Sequence, residues 1–339
     1  MARTVFFSLG GGLGHLNRSL AVIRHLRRLA PTSEPVVVTN SPFCQLALSV
    51  GVPVVRLPGH FEQEVLNTPE LTARLSIAVL DSLGPLDALV IDANLNQLPA
   101  ALASYVARGR FLKVFVCREE VLTAEPDQLS VFDYVFYPFP RPVRGVPRGV
   151  TACGYIVTRG QQDVLTRAQA RLRLGLPPEG EAPLILAHHA CSPAEILALF
   201  RQVKEAAGLM GLPHDLRLST PQVLPGVEYV YPHLVSIYPI MDVLEAADLV
   251  VCSAGYNSFA EVNCLGRPAI FWPLDRHHDH QDARVSHFPS FGPATPPEEL
   301  ASVMRGILKS PARVQRGKAE DYHGAEQVAE AIANAMAIA

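Results

Sequence analysis

The chain predicts an α/β fold of two doubly wound parallel sheets, and three observations carry that expectation. Apolar runs of strand length alternate with segments of helical period, the pattern that builds parallel sheets covered by helices on both faces. The alternation breaks in the Pro-, Arg- and Gly-rich stretch Pro138–Gly149 and then restarts. At 339 residues the chain exceeds one ordinary core and fits two domains of roughly 150 residues each.

Taken in order, strands are expected near 3–8, 35–39, 53–57, 87–92, 112–117 and 133–137, and helices near 15–30, 42–50, 70–83 and 97–108. The first strand, Thr4–Ser8, leads into a helix with Leu16, Leu20, Ile23 and Leu26 on one face. After the break, Leu184–Ala187 opens a second series, with later strands near 216–218, 228–230, 249–252 and 269–272. A helix begins at Pro193, where Ser192 as N-cap and Glu195 three positions on form a capping box. The Ala-rich segment Ala325–Ala337 carries Val328, Ile332 and Met336 at helical spacing.

Composition narrows the function classes. Hydrophobic residues make up 49% and charged residues 18%, with a net charge of −3. No basic stripe with interleaved aromatics is present, so nucleic acid is not an expected partner. The six cysteines show no CxxC spacing and read as reduced thiols. No apolar run reaches the ~18 residues of a bilayer span, and glycines break the N-terminus too early for a signal peptide. A cytoplasmic protein is expected, with peripheral membrane contact still compatible and monomer or dimer both open.

Two junctions carry chemistry. Gly10-Gly11-Gly12-Leu13-Gly14-His15 joins the first strand to the first helix, and glycines such as Gly12 and Gly14 let backbone approach a ligand. A Walker loop would end in Gly-Lys-Ser/Thr, whereas Gly14 is followed by His15. A helix N-terminus disfavours the imidazolium, so His15 can accept a proton; alternatively it caps or packs at the turn. The second junction, Ser253-Ala254-Gly255-Tyr256-Asn257-Ser258, follows the strand 249–252. Its N–H groups and helix dipole suit a phosphate, Asn257 or Ser258 can cap the helix, and Glu261 can receive hydrogen bonds from sugar hydroxyls.

Further candidates end other strands. Asp92 either orients His15 or touches an acceptor, or else caps the segment after Asn94. Arg118 either receives an anionic group or pairs with Glu119 or Glu120. Arg18, one turn from His15, is a phosphate contact or a solvated face residue. His277, His278 and His280 lack helical metal-ligand spacing, and no Asp-x-Asp pair is present, so no metal or other cofactor is expected.

These motifs together, Gly10 to His15 and Ser253-Ala-Gly255…Glu261…Gly266-Arg-Pro268…Pro273…Asp279-His-Gln281, resemble the GT-B glycosyltransferases, in particular the MurG-like branch. The resemblance implies Rossmann-like domains over 1–155 (acceptor side) and 156–321 (nucleotide-sugar side), facing across a cleft, with the helix 322–339 crossing back onto the first. It implies that Gly255, Tyr256 and Asn257, beside Ser258, meet the diphosphate of a nucleotide sugar, with uridine as the base. Glu261 would hold the ribose, Asp279 and Gln281 the donor sugar, and backbone near Ile237 the base. Gly12 and Gly14 count with the donor site, Arg18 and Arg118 with the acceptor side. His15, aided by Asp92, would be the general base of an inverting, metal-independent transfer to an acceptor hydroxyl. The chain departs from that family at Ala187-His188-His189-Ala190-Cys191-Ser192, where glycines and serines are usual; His188 and Ser192 remain donor-side candidates. A nucleotide-sugar hydrolase and a non-catalytic nucleotide-sugar-binding protein stay open as alternatives.

Overall fold

The computed structural model describes all residues except 1, 11, 59–68, 94–97, 99, 119–125, 141–146, 223, 225, 228–230, 277–278, 311–314 and 339. The chain divides into two compact units, Met1–Thr158 with Glu320–Ala339, and Arg159–Ala319.

The first unit is built on a seven-stranded sheet. Its strands are β1 (Ala2–Ser8), β2 (Ser33–Thr39), β3 (Val54–Arg56), β4 (Ala88–Asp92), β5 (Leu112–Val116), β6 (Tyr134–Tyr137) and β7 (Val150–Ala152). They run in the order β3-β2-β1-β4-β5-β6-β7, every pair parallel. Every residue of β4 is buried, because helices cover both faces of a parallel sheet and its central strands meet no water. Helix α1 (Gly14–Leu29) buries Leu16, Leu20, Ile23 and Leu26. Arg27 near its C-terminus donates to the carbonyls of Val50 and Gly51, capping the short helix α2 (Gln45–Ser49). Helices α3 (Pro69–Ser82), α4 (Ala100–Arg108) and α5 (Pro126–Leu129) follow in chain order.

The second unit holds a five-stranded sheet, also parallel throughout. Its strands are β8 (Leu184–His188), β9 (Asp215–Thr220), β10 (Leu234–Ser236), β11 (Leu249–Ser253) and β12 (Ala269–Trp272), ordered β10-β9-β8-β11-β12. Around it lie α6 (Arg167–Arg173), α7 (Pro193–Leu209), α8 (Met241–Leu244), α9 (Tyr256–Cys264), α10 (Gln281–Val285) and α11 (Pro297–Lys309). Ile196, Leu199, Phe200 and Val203 of α7 and Leu300 and Met304 of α11 share a core with Ile185, Val251 and Ile270 of the sheet. The capping box at Ser192 forms as expected. The strand expected near 228–230 lies outside the described residues, and β10 follows it.

After a 3-10 turn over Ala319–Tyr322, the last helix, α12 (Gly324–Ile338), packs on α1. Its Val328 and Ile332 are fully buried. The return is pinned where Tyr155 N–H donates to the Asp321 carbonyl at 2.7 Å. Gly154 there has φ +79°, and a Cβ on it would lie 2.8 Å from that same carbonyl oxygen, so only glycine fits. Among the described residues no helix is long and apolar enough to cross a membrane.

Candidate active site

In the first unit the carboxyl ends of β1 and β4 lie side by side, Ser8 in register with Asp92. Ligands of doubly wound sheets bind at such ends. The β1–α1 turn brings His15, the second residue of α1, over this point, with its Nδ1 2.7 Å from Asp92 Oδ1. Arg18, one turn along, sends Nε to Asp92 Oδ2 at 2.9 Å and Nη2 to Oδ1 at 2.6 Å. Burial pushes the Asp92 carboxyl up, but the charge of Arg18 and the bonds from His15 and Arg18 outweigh it and hold the group below its ordinary value. An ionised oxygen 2.7 Å from Nδ1 favours a proton on that nitrogen and the lone pair on Nε2, while the Arg18 Nη2 donor, 2.9 Å from Nδ1, pulls the other way. His15 is itself held below its ordinary value, chiefly by burial and also by the charges of Arg18 and Arg118, against the pull of Asp92. A neutral imidazole with a free Nε2 is a competent proton acceptor.

This geometry corrects one sequence expectation. Arg18 is not a solvated face residue: it is 2% exposed and bonded to both oxygens of Asp92. Asp92 gives its carboxylate to His15 and Arg18 rather than to a helix start; Asn94 lies outside the described residues. Arg118 is half-buried and near enough for its charge to reach His15, while Glu119 and Glu120 lie outside the described residues. Among the described residues, chain neighbours aside, a Cβ on Gly12 would meet no atom within 4 Å, and Gly14 opens α1.

In the second unit α9 starts directly from β11. Its N-cap is Gly255, in an extended conformation and without a side-chain cap bond. The expectation that Asn257 or Ser258 caps this helix is therefore corrected: both sit inside its first turn, and the N-cap residue is Gly255, which has no side chain to cap with. Such a terminus carries partial positive charge aimed outward. Tyr256 and Glu261 are buried at 4% and 3%. Burial first, and then the Glu261 charge, raise the Cys252 thiol well above its ordinary value, and the same two causes raise the Tyr238 hydroxyl. Glu261 is therefore within electrostatic reach of Tyr238, which follows the buried Ile237.

Asp279 and Gln281 come together, but on each other. Gln281 Nε2 donates to Asp279 Oδ2 at 2.9 Å, and its Oε1 accepts from Leu274 N–H at 3.0 Å. Arg284, which the sequence reading missed, donates to Asp279 Oδ1 at 2.6 Å and to the Ala254 carbonyl at 2.8 Å. It ties this loop to the Ser253–Gly255 turn. Gln281, 5% exposed, is thus a loop anchor before it is a sugar contact. His277 and His278 lie outside the described residues.

The β8–α7 turn is equally engaged. Ser192 Oγ donates to Glu195 Oε2 at 2.9 Å and accepts from Glu195 N–H, which commits it to the capping box. His188 is buried, and burial, then the neighbouring His189, push it down to about 3. It can offer a neutral ring to a phosphate but not a charge. His188 Nδ1 and Ser219 Oγ, on adjacent strands in register, find no hydrogen-bond partner among the described residues, and buried polar atoms in that condition are disfavoured by roughly 1–3 kcal/mol each. His189, Cys191 and Glu195 bring potential metal-ligand atoms within 4.8 Å of one another. Arg276 already supplies a cation there, 3.2 Å from Cys191 Sγ and 2.5 Å from Glu195 Oε1.

Residues 222–292 match the model of the glycosyltransferase family 28 C-terminal domain. Over 336 residues the chain is 30% identical to the UDP-N-acetylglucosamine–N-acetylmuramyl-(pentapeptide) pyrophosphoryl-undecaprenol N-acetylglucosamine transferase of Saccharopolyspora erythraea, covering 88% of this chain and 82% of that one. The chain belongs to the MurG-like family of GT-B glycosyltransferases. The enzyme of the same description from a Nocardioides species is 29% identical, covering 82% of this chain and 80% of its own length. Among solved structures, MurG of Acinetobacter baumannii aligns with a TM-score of 0.59 at 16% identity, covering 98% of this chain and all of that one. A Listeria monocytogenes chain described as a putative UDP-N-acetylglucosamine 2-epimerase aligns comparably, at 0.60 and 15% over 100% and 98% of the two chains. The fold is thus shared with other chemistry, and likeness in sequence identifies this MurG-like chain as a glycosyltransferase.

Proposed function

We propose that this MurG-like enzyme is an inverting, metal-independent transferase that moves a sugar from a UDP-linked donor to an acceptor hydroxyl. The observation that carries the reading is the His15–Asp92 pair: a neutral imidazole whose Nδ1–H is fixed 2.7 Å from a buried carboxylate. Nε2 takes the proton of the acceptor hydroxyl, the oxygen attacks the anomeric carbon, and the bond to the diphosphate breaks with its electron pair leaving on oxygen. The start of α9, at Gly255, Tyr256, Asn257 and Ser258, meets that developing charge with backbone N–H groups, which is the support for a transfer needing no metal. Glu261 accepts hydrogen bonds from the ribose hydroxyls, and backbone near Ile237 faces the base. N-acetylglucosamine and the lipid-linked muramyl acceptor named for the relatives are the first pair to test.

The test is UDP release from UDP-N-acetylglucosamine with and without that acceptor, in the wild type and in His15→Ala. General-base catalysis contributes about 10²–10⁴-fold, so the variant should lose at least the lower figure while its affinity for UDP is unchanged. Undiminished turnover in His15→Ala removes His15 as the base, and acceptor-independent release at the full rate replaces transfer with hydrolysis.

A further inference from the structure

We infer that Arg18 is the positioning residue of the His15–Asp92 pair: its guanidinium fixes both oxygens of the carboxylate, so that Asp92 holds the ring by Nδ1 and leaves Nε2 as the proton acceptor. The inference rests on the reading of His15 as the base and adds a third member to it.

The geometry is specific. Arg18 and Asp92 are each 2% exposed, and a buried arginine is tolerated only where its charge and donors are met. The two planar groups meet in a fork, Nε on Oδ2 at 2.9 Å and Nη2 on Oδ1 at 2.6 Å, which removes the rotational freedom of the carboxylate. Oδ1 is the oxygen that also meets His15 Nδ1, and Nη2 itself lies 2.9 Å from that nitrogen. A second proton on the ring would therefore bring a positive charge against a fixed guanidinium.

The charged groups facing His15 are Arg18 on its own helix, Asp92 at the end of β4, and Arg118 after β5. Asp92 favours the imidazolium and the two arginines oppose it. Without Arg18 the carboxylate would pair with His15 alone and favour the imidazolium more strongly, leaving burial as the main effect that keeps the ring neutral. Arg18 thus lets Asp92 orient the ring without locking it in the protonated form. A lysine would keep the charge but not the fork.

The experiment follows His15 by NMR in histidine-labelled protein, its signal assigned by its loss in His15→Gln, so no substrate is needed. The wild-type ring should titrate below the ordinary histidine value as the Nδ1–H tautomer. Arg18→Gln should raise the midpoint by about one unit or more, a tenfold change in the protonated-to-neutral ratio. In Arg18→Lys the midpoint should stay depressed while the nitrogen shifts report mixed tautomers. An unchanged midpoint in folded Arg18→Gln overturns the inference. If that variant does not fold, Arg18→Lys decides: mixed tautomers support the inference, and a single retained Nδ1–H tautomer overturns it. His15→Ala turnover is scored separately, so failure of the base reading is distinguishable from failure of the role of Arg18.

Discussion

Replacing Gly10 by alanine should unseat His15 while leaving the sheet beneath it intact. A Cβ at residue 10 would lie 2.3 Å from His15 Cδ2 and 3.1 Å from Nε2, whereas carbon–carbon contacts settle at about 3.5–4.0 Å. The ring or the turn must retreat by more than an ångström. The 2.7 Å bond from Nδ1 to Asp92 then stretches past the roughly 3.2 Å limit of a useful hydrogen bond. A hydrogen bond to a charged group is worth about 1.5–3 kcal/mol, and each ~1.4 kcal/mol is tenfold in rate. Gly10→Ala should therefore lower kcat/KM by about 10- to 150-fold in the UDP-release assay. Its folding stability should fall by no more than that same ~1.5–3 kcal/mol in urea, because Gly10 lies in a turn and carries no core side chain. Gly306→Ala in α11, where an added Cβ meets nothing within 4 Å, is the control and should be fully active. Wild-type kcat/KM in folded Gly10→Ala would refute the reasoning, since the clash would then be absorbed without moving the base.

Glu261→Ala should weaken UDP binding by about 1.5–3 kcal/mol, roughly 10- to 150-fold in Kd by calorimetry; unchanged affinity removes the ribose assignment. Gly306→Ala should also stabilise the protein by about 0.5–1 kcal/mol in urea, because alanine suits a helix interior better than glycine. Stability should fall on acidification in two windows. Burial holds folded His15 below its ordinary 6.5, so the unfolded chain takes that proton first and stability is lost as pH drops from 6.5 toward the folded value. Asp92, held below 3.8 by Arg18 and His15 against the effect of burial, adds a second loss below 3.8 as pH approaches its folded value. Urea midpoints across that range should fall less steeply in His15→Gln between about pH 7 and 5, and an identical slope would contradict the assignment.

Much of the fold is legible in the chain because the central strands of parallel sheets are buried on both faces. β4, β8 and β11, buried along their whole length, are nearly continuous apolar runs for that reason. The capping box at Ser192 is legible because it is local, needing only residues three apart. β7, three residues at the edge of its sheet and only partly buried, leaves no such pattern. Both glycine-rich turns, and the places of His15 and Glu261 in the helices that follow them, were legible because they depend only on local order along the chain.

What the chain could not show is which charges meet. Arg18 and Asp92 are 74 residues apart, and only the pairing of β1 with β4 brings them together. The one local signal was the three-residue spacing of His15 and Arg18, which puts both on one face of α1. The bonds of Asp279 and Gln281 to each other, to Leu274 and to Arg284, and of Arg284 to the Ala254 carbonyl, were likewise not readable from the order of residues. The sequence by itself determined the strand–helix alternation, the turns and the kinds of side chain beside them. The tertiary structure alone decided the partner of each charge, because a buried ion is tolerated only against its counterion, and that partner is chosen by sheet order rather than by neighbours along the chain.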